Sequence, residues 1–103
     1  MILITGITGR VGSSAARYLI ENGLAVRGVT RDGEKARLSA DLGAEIVVGD
    51  ITDTAFVRSA LKDISTVILV TGNGPHQLEA ECLVASESSA KKVSHIVKIS
   101  SME

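Results

Sequence analysis

Apolar runs and polar breaks alternate along the chain with two different periods. Ile2-Leu3-Ile4-Thr5 is a short, nearly continuous apolar run that breaks into Gly6, Gly9 and Gly12, spaced three apart. Behind the glycines, Val11, Ala15 and Leu19 recur at i, i+4 spacing, and Ala16 and Ile20 widen the same face. Such a stripe seats a helix on a sheet. Asn22-Gly23 ends that helix, and residues 24–30 read as a second strand, parallel to the first because a helix connects them. Arg31-Asp32-Gly33 is a turn, and residues 34–42 form a predicted second helix with Leu38 and Leu42 inward, closed by Gly43.

Residues 45–48 are a third strand, ending at Gly49-Asp50. Thr52 or Asp53 caps a third helix whose inward face is Phe56, Val57, Ala60 and Leu61. Residues 66–70 are a fourth strand, apolar on both faces as a central parallel strand should be. Gly72-Asn73-Gly74-Pro75 is a loop, with Pro75 placed to start a fourth helix that runs to about residue 92 with Leu78, Cys82 and Ala85 on one side. Residues 95–99 are a fifth strand, followed by Ser100-Ser101-Met102-Glu103. The alternation predicts an α/β fold: a doubly wound, parallel five-stranded sheet of order 3-2-1-4-5, Rossmann-like, with helices on both faces.

The glycine stretch, Thr5-Gly6-Ile7-Thr8-Gly9-Arg10-Val11-Gly12, is where the chemistry enters. A buried strand, a tight turn and a helix start leave the first helical amides bare, with the helix dipole behind them. That combination binds anions, and glycine is required because a β-carbon would obstruct the turn and the approach of a pyrophosphate. The strand–turn–helix context, rather than the glycines alone, makes this a dinucleotide signal. No Gly-Lys-Ser/Thr follows the turn, so a mononucleotide P-loop is set aside.

Bulk properties narrow the partners. The 103 residues suit one domain, and 45% hydrophobic with 22% charged residues is an ordinary globular balance. A net charge of −1 offers no field for nucleic acid or an anionic membrane, and Tyr18 and Phe56 are the only aromatic residues, too few for base stacking. Apolar runs of a few residues are far short of a membrane span, and the first strand starts too early for a signal peptide. One cysteine, Cys82, allows no internal disulfide, which fits a cytoplasmic setting. Cys82 reads as a small core residue, and His76 and His95, lacking a second ligand at metal spacing, as surface or strand-end residues; no metal site is expected.

In the predicted topology a dinucleotide lies beyond the carboxyl ends of the strands, at the switch point between strands one and four. The adenosine ribose then meets the end of strand two. An acidic residue there favours NAD, whereas this chain offers Thr30-Arg31, and Arg31 can pair with a 2′-phosphate. Arg10 and Lys35 add positive charge. NADP is therefore the expected cofactor, with NAD as the alternative if Asp32, next in sequence, is the residue aimed at the ribose.

Five spaced motifs resemble one family. The glycine turn, Thr30-Arg31-Asp32, Gly49-Asp50-Ile51-Thr52-Asp53, Val67-Ile68-Leu69-Val70-Thr71 and His95-Ile96-Val97-Lys98-Ile99-Ser100-Ser101 look like those of atypical short-chain dehydrogenase/reductases. The last is similar to strand five of the NmrA-like branch, which includes NAD(P)H-dependent quinone reductases and redox-sensing regulators. In the glycine turn, Gly6, Thr8, Gly9, Arg10, Val11 and Gly12 are the expected cofactor-binding residues, and the resemblance implies that Arg31 meets the adenosine phosphate. It also implies that Asp50 and Ile51 border the adenine and that Thr71 and Gly72 lie along the cofactor.

The Tyr-x-x-x-Lys pair of many short-chain dehydrogenases is absent: Tyr18, the only tyrosine, is followed four residues later by Asn22. Ser100 or Ser101 stands where the larger group often places a catalytic serine or threonine, without a tyrosine acid to work with. The chain stops where the family continues into further strands and a substrate-covering region. The expected function is an NADP-preferring binding domain that does not catalyse alone, acting as sensor, subunit or isolated domain. One alternative is a quinone-reductase-like oxidoreductase passing hydride to a small acceptor, and another is a structural half-fold without ligand. Strand five is expected to leave an open sheet edge where a homodimer forms. Each residue also has a purely structural reading: glycines that only tighten a turn, Arg31 as a solvated turn residue, Asp50 as a helix-entry residue, Ser100 and Ser101 as a polar run.

Overall fold

The computed structural model describes residues 1–7, 9–71, 77–91 and 93–100, and for a few helix and strand positions the backbone alone. Strands and helices alternate: β1 (Ile2–Thr5), α1 (Arg10–Glu21), β2 (Val26–Thr30), α2 (Arg37–Asp41), β3 (Glu45–Val48), α3 (Thr54–Ala60), β4 (Thr66–Thr71), α4 (Gln77–Ala90) and β5 (His95–Ser100). The strands form one parallel sheet in the order β3-β2-β1-β4-β5, as the alternation of periods predicts.

The two-residue period of the strands divides the core into two layers. Leu3, Val67 and Leu69 face one side with Val29, and there they meet Val57, Ala60 and Leu61 from the α3 region and Val84 from α4. Ile4 and Val26 face the other side, where Ile7, Ala16 of α1, Ala36 and Ala44 complete a second cluster. Each buried Leu, Ile or Val contributes roughly 1.5–3 kcal/mol. The small Ala16 allows α1 to approach the sheet closely.

Side chains fix the element boundaries. Asp53 is the α3 cap: its carboxylate accepts from the N–H groups of Ala55 (3.0 Å) and Phe56 (3.4 Å). Arg27, on β2, serves the other end of α3, its Nη1 donating to the Ala60 and Lys62 carbonyls at 2.7 Å each. Three expectations need correction. The second strand starts at Val26, because Leu24 N–H donates to the Leu19 carbonyl and closes the end of α1; Leu24 is exposed.

The second helix is shorter than the predicted 34–42. Glu34 N–H is held by the Asp32 carboxylate, and Ala36 and Arg37 bond only three residues back, so a regular helix starts at Arg37. Ala36 and Ser39 are buried instead of Leu42, which is exposed; the Leu38 side chain lies outside the described residues. Among the described side chains of α4 the buried ones are Val84, Glu87 and Ser88, so Cys82 and Ala85 point outward rather than into the core; the Leu78 side chain lies outside the described residues. Glu87 pairs there with Arg58 of α3. Pro75 and the loop before α4 lie outside the described residues. Among the described residues no helix is long and apolar enough to cross a membrane, and no cluster of acidic, histidine or cysteine side chains is arranged to hold a metal.

Candidate functional site

The carboxyl ends of the strands gather the expected site residues. β1 lies between β2 and β4, so the connections leaving β1 and β4 diverge to opposite faces and open the switch point. Thr5, at the end of β1, is buried, and its hydroxyl bridges to β4. It accepts from the Val70 N–H at 3.1 Å and lies 3.4 Å from the Val70 carbonyl, to which it donates. Backbone register between these strands ends at Ile4 and Ile68, so Thr5 extends the pairing up to the edge of the site. In the sequence Thr5 is visible only as part of a motif; this bridging role appears only once β1 and β4 are side by side.

Beyond Thr5 the chain turns at Gly6, whose φ of +67° is left-handed; a β-carbon there would also stand 3.1 Å from the Val70 carbonyl oxygen. Gly9 N–H donates to the Gly6 carbonyl at 3.0 Å, which tightens the turn, and Gly9 is the N-cap of α1. Having no side chain, it leaves the cap without a side-chain hydrogen bond, and no acidic residue occupies the first turn. Arg10 sits there instead, placing positive charge at the positive end of the helix dipole, an arrangement that suits a bound anion. Val11 is half-buried and Gly12 is buried. A β-carbon on Gly12 would overlap the Gly6 carbonyl and crowd the Ile7 α-carbon, so this turn closes only around glycine. That cradle fits a dinucleotide pyrophosphate. Thr8 lies outside the described residues.

The residues expected at the adenosine end are brought together by register between β2 and β3. Thr30 pairs with Val48, and Gly49 N–H donates to the Thr30 carbonyl at 2.9 Å, so Arg31 and Asp50 leave the sheet side by side. Arg31 Nη2 lies 3.2 Å from Asp50 Oδ1, both side chains substantially exposed. The same Oδ1 accepts from the Thr52 N–H at 2.9 Å and the Thr52 hydroxyl at 2.7 Å. The Thr52 hydroxyl and N–H, with a smaller contribution from the Arg31 guanidinium, hold the Asp50 carboxyl below its ordinary range. The Asp-x-Thr spacing is the sequence signal for this turn, in which Thr52 holds Asp50 rather than capping the helix.

Asp32, the residue that favours NAD in the alternative reading, is exposed, and its Oδ1 accepts from the Glu34 N–H at 3.0 Å. Ile51 is half-buried against the core beneath α3. Thr71 ends β4, paired with Ser100 in register, while Gly72 lies outside the described residues. The structure thus brings together Gly6, Gly9 and Gly12 at one place and Arg31, Asp50 and Thr52 at another.

A family profile described as NAD(P)H-binding matches residues 6–103. The chain belongs to this NAD(P)H-binding family. It is 39% identical over 102 residues to a (4-alkanoyl-5-oxo-2,5-dihydrofuran-3-yl)methyl phosphate reductase of Streptomyces griseus, covering 99% of this chain and 35% of that protein. It is 31% identical over 97 residues to an NAD(P)H azoreductase of Xenophilus azovorans, covering 94% of this chain and 34% of the relative. An Escherichia coli NADPH-dependent quinone oxidoreductase, solved with NADPH, shares the fold with a TM-score of 0.83 at 24% identity, over 95% of this chain and 36% of that one. The chain therefore spans about a third of the length of these relatives. The resemblance to NmrA-like and quinone reductases read from the five motifs holds for this NAD(P)H-binding Rossmann domain.

Proposed function

We propose that this domain binds NADP(H) in preference to NAD(H) and holds it without turning it over alone. The observation that carries the preference is Arg31, placed at the end of β2 and fixed beside Asp50, while Asp32 is engaged with the Glu34 amide. In this reading Gly6, Thr8, Gly9, Arg10, Val11 and Gly12 hold the pyrophosphate and Arg31 the 2′-phosphate. Asp50 and Ile51 border the adenine, and Thr71 and Gly72 follow the cofactor toward its nicotinamide. The NADPH bound to the E. coli quinone oxidoreductase supports the preference. A guanidinium suits a phosphate because its planar fork donates two parallel hydrogen bonds.

When bound, the nicotinamide supplies hydride transfer; the residues of this chain bind and orient it. Tyr18 lies on α1, exposed, and Asn22 Nδ2 donates to its carbonyl at 2.7 Å, so it is a surface residue rather than a proton donor to the site. The second reading, a reductase passing hydride to a small acceptor, draws on the two relatives named as reductases. Quinone-dependent NADPH oxidation by the purified chain would favour it over the binding domain.

A cytoplasmic setting and a second copy paired along the β5 edge belong to the same proposal. β5 ends the sheet order, and Ile96 and Val97 are 43% and 47% exposed on its opposite faces. Light scattering showing a concentration-independent monomer would remove the dimer. The experiment for the function itself is a set of thermal melts with each nucleotide. A ligand at a hundred times its dissociation constant adds about 2.7 kcal/mol, so NADPH should raise the midpoint more than NADH at equal concentration. No shift with either at millimolar concentration overturns the proposal, and a larger shift with NADH overturns the preference.

A further inference from the structure

We infer that Asp50 is a positioning residue that sets NADP over NAD selectivity by tethering Arg31. This rests on the reading of Arg31 as the 2′-phosphate ligand and adds how that ligand is held in place. The tether is visible in one atom. Oδ1 of Asp50 accepts from the Thr52 N–H, the Thr52 hydroxyl and Arg31 Nη2, at 2.9, 2.7 and 3.2 Å. The two bonds from Thr52, one from its backbone N–H and one from its hydroxyl, hold the carboxylate to the turn between β3 and α3, so Arg31 docks on an anchored carboxylate rather than on a free side chain.

Arg31 is two-thirds exposed, and a free arginine there would sample many rotamers. A guanidinium has five N–H donors, and Asp50 engages it through a single nitrogen contact. The rest of the fork stays available to a phosphate without displacing the carboxylate. Asp50 thus removes beforehand part of the ordering cost of Arg31 binding a 2′-phosphate. A ligand lacking that phosphate gains nothing from the tether. The opposing effect is repulsion between the carboxylate and the phosphate, which water and salt screen because both Asp50 and Arg31 are open to solvent.

The test is the ratio of dissociation constants, NADH over NADPH, measured by nucleotide fluorescence for the wild type and four variants. Arg31→Ala should abolish the preference. Asp50→Ala should lower the ratio by roughly threefold to tenfold, the effect of freeing one long side chain. Asp50→Asn keeps an oxygen acceptor without the charge and should recover most of that loss. Thr52→Val, which releases the anchor, should fall between wild type and Asp50→Ala. In this reading Asp50 also borders the adenine that both nucleotides share, so a loss at that contact cancels in the ratio; the further loss confined to NADPH is one that general loss of structure cannot produce, since it weakens both nucleotides equally.

An unchanged or raised ratio in Asp50→Ala, or equal weakening of both nucleotides, overturns the inference while a collapsed ratio in Arg31→Ala leaves the cofactor reading standing. If Asp50→Asn raises the ratio well above wild type, repulsion outweighs the tether and the inference fails. If Arg31→Ala leaves the ratio untouched, the 2′-phosphate reading itself is wrong and the inference falls with it.

Discussion

Gly12, in the first turn of α1, packs against the carbonyl of Gly6 so closely that a β-carbon would overlap that oxygen and crowd the Ile7 α-carbon. Both sides of the contact are backbone, so no rotamer change relieves it. Gly12→Ala should therefore cost about 1–3 kcal/mol of stability, the usual penalty of forced overpacking, and should abolish the NADPH-induced rise in melting temperature. Urea unfolding with and without nucleotide measures both. A variant as stable as wild type that still responds to NADPH would mean that the turn is looser than its geometry indicates.

Asp50 provides a prediction about pH. Its carboxyl is held below the ordinary value of 3.8, first by the Thr52 hydroxyl and N–H and only then by Arg31. A depressed folded-state value means that its stabilising contribution is fully present above the ordinary carboxylate range. That contribution is lost as pH falls through the lowered folded-state value. Carboxyl carbon titration by NMR should give a midpoint below that of an unfolded aspartate. Thr52→Val should raise this midpoint more than Arg31→Ala does; the reverse ranking would make the ion pair, not the hydrogen bonds, the main cause.

Ser88 is fully buried on α4, and its hydroxyl has no hydrogen-bond partner among the described residues. Burying such a group costs free energy that alanine does not, and alanine is the better helix former. Ser88→Ala should stabilise the domain by about 1 kcal/mol in denaturant unfolding at unchanged m-value. Destabilisation would mean that the hydroxyl has a partner.

Asp53 carries the start of α3 through its bonds to the Ala55 and Phe56 amides. Asp53→Ala should cost about 1 kcal/mol and Asp53→Asn much less, because the amide oxygen still caps. Equal losses in the two variants would point to charge rather than capping.

Strand order and core were legible because continuous apolar runs and small residues mark central strands and close helices; Leu3, Ile4, Val67 and Ala16 are buried as their pattern requires. The fourth helix misled because its buried stripe contains Glu87 and Ser88, so a search for apolar residues selects Cys82 and Ala85 on the outer face. The second helix misled because Asp32 competes for its first amide, a local bond that apolar periodicity does not register. Arg31 and Asp50 were each legible as candidates. Their pairing was not, since they are distant in sequence and only the register between β2 and β3 makes them neighbours.

In the proposed function, the Gly6–Gly12 turn holds the cofactor pyrophosphate. Amide ¹⁵N–¹H spectra of this 10.7 kDa chain, recorded during an NADP⁺ titration, test it most directly. The amides of Gly9, Val11 and Gly12 should show the largest saturable shifts, together with Arg31 and the amides flanking Asp50. Saturable shifts confined to other surfaces, or a spectrum unchanged at millimolar NADP⁺, would contradict it.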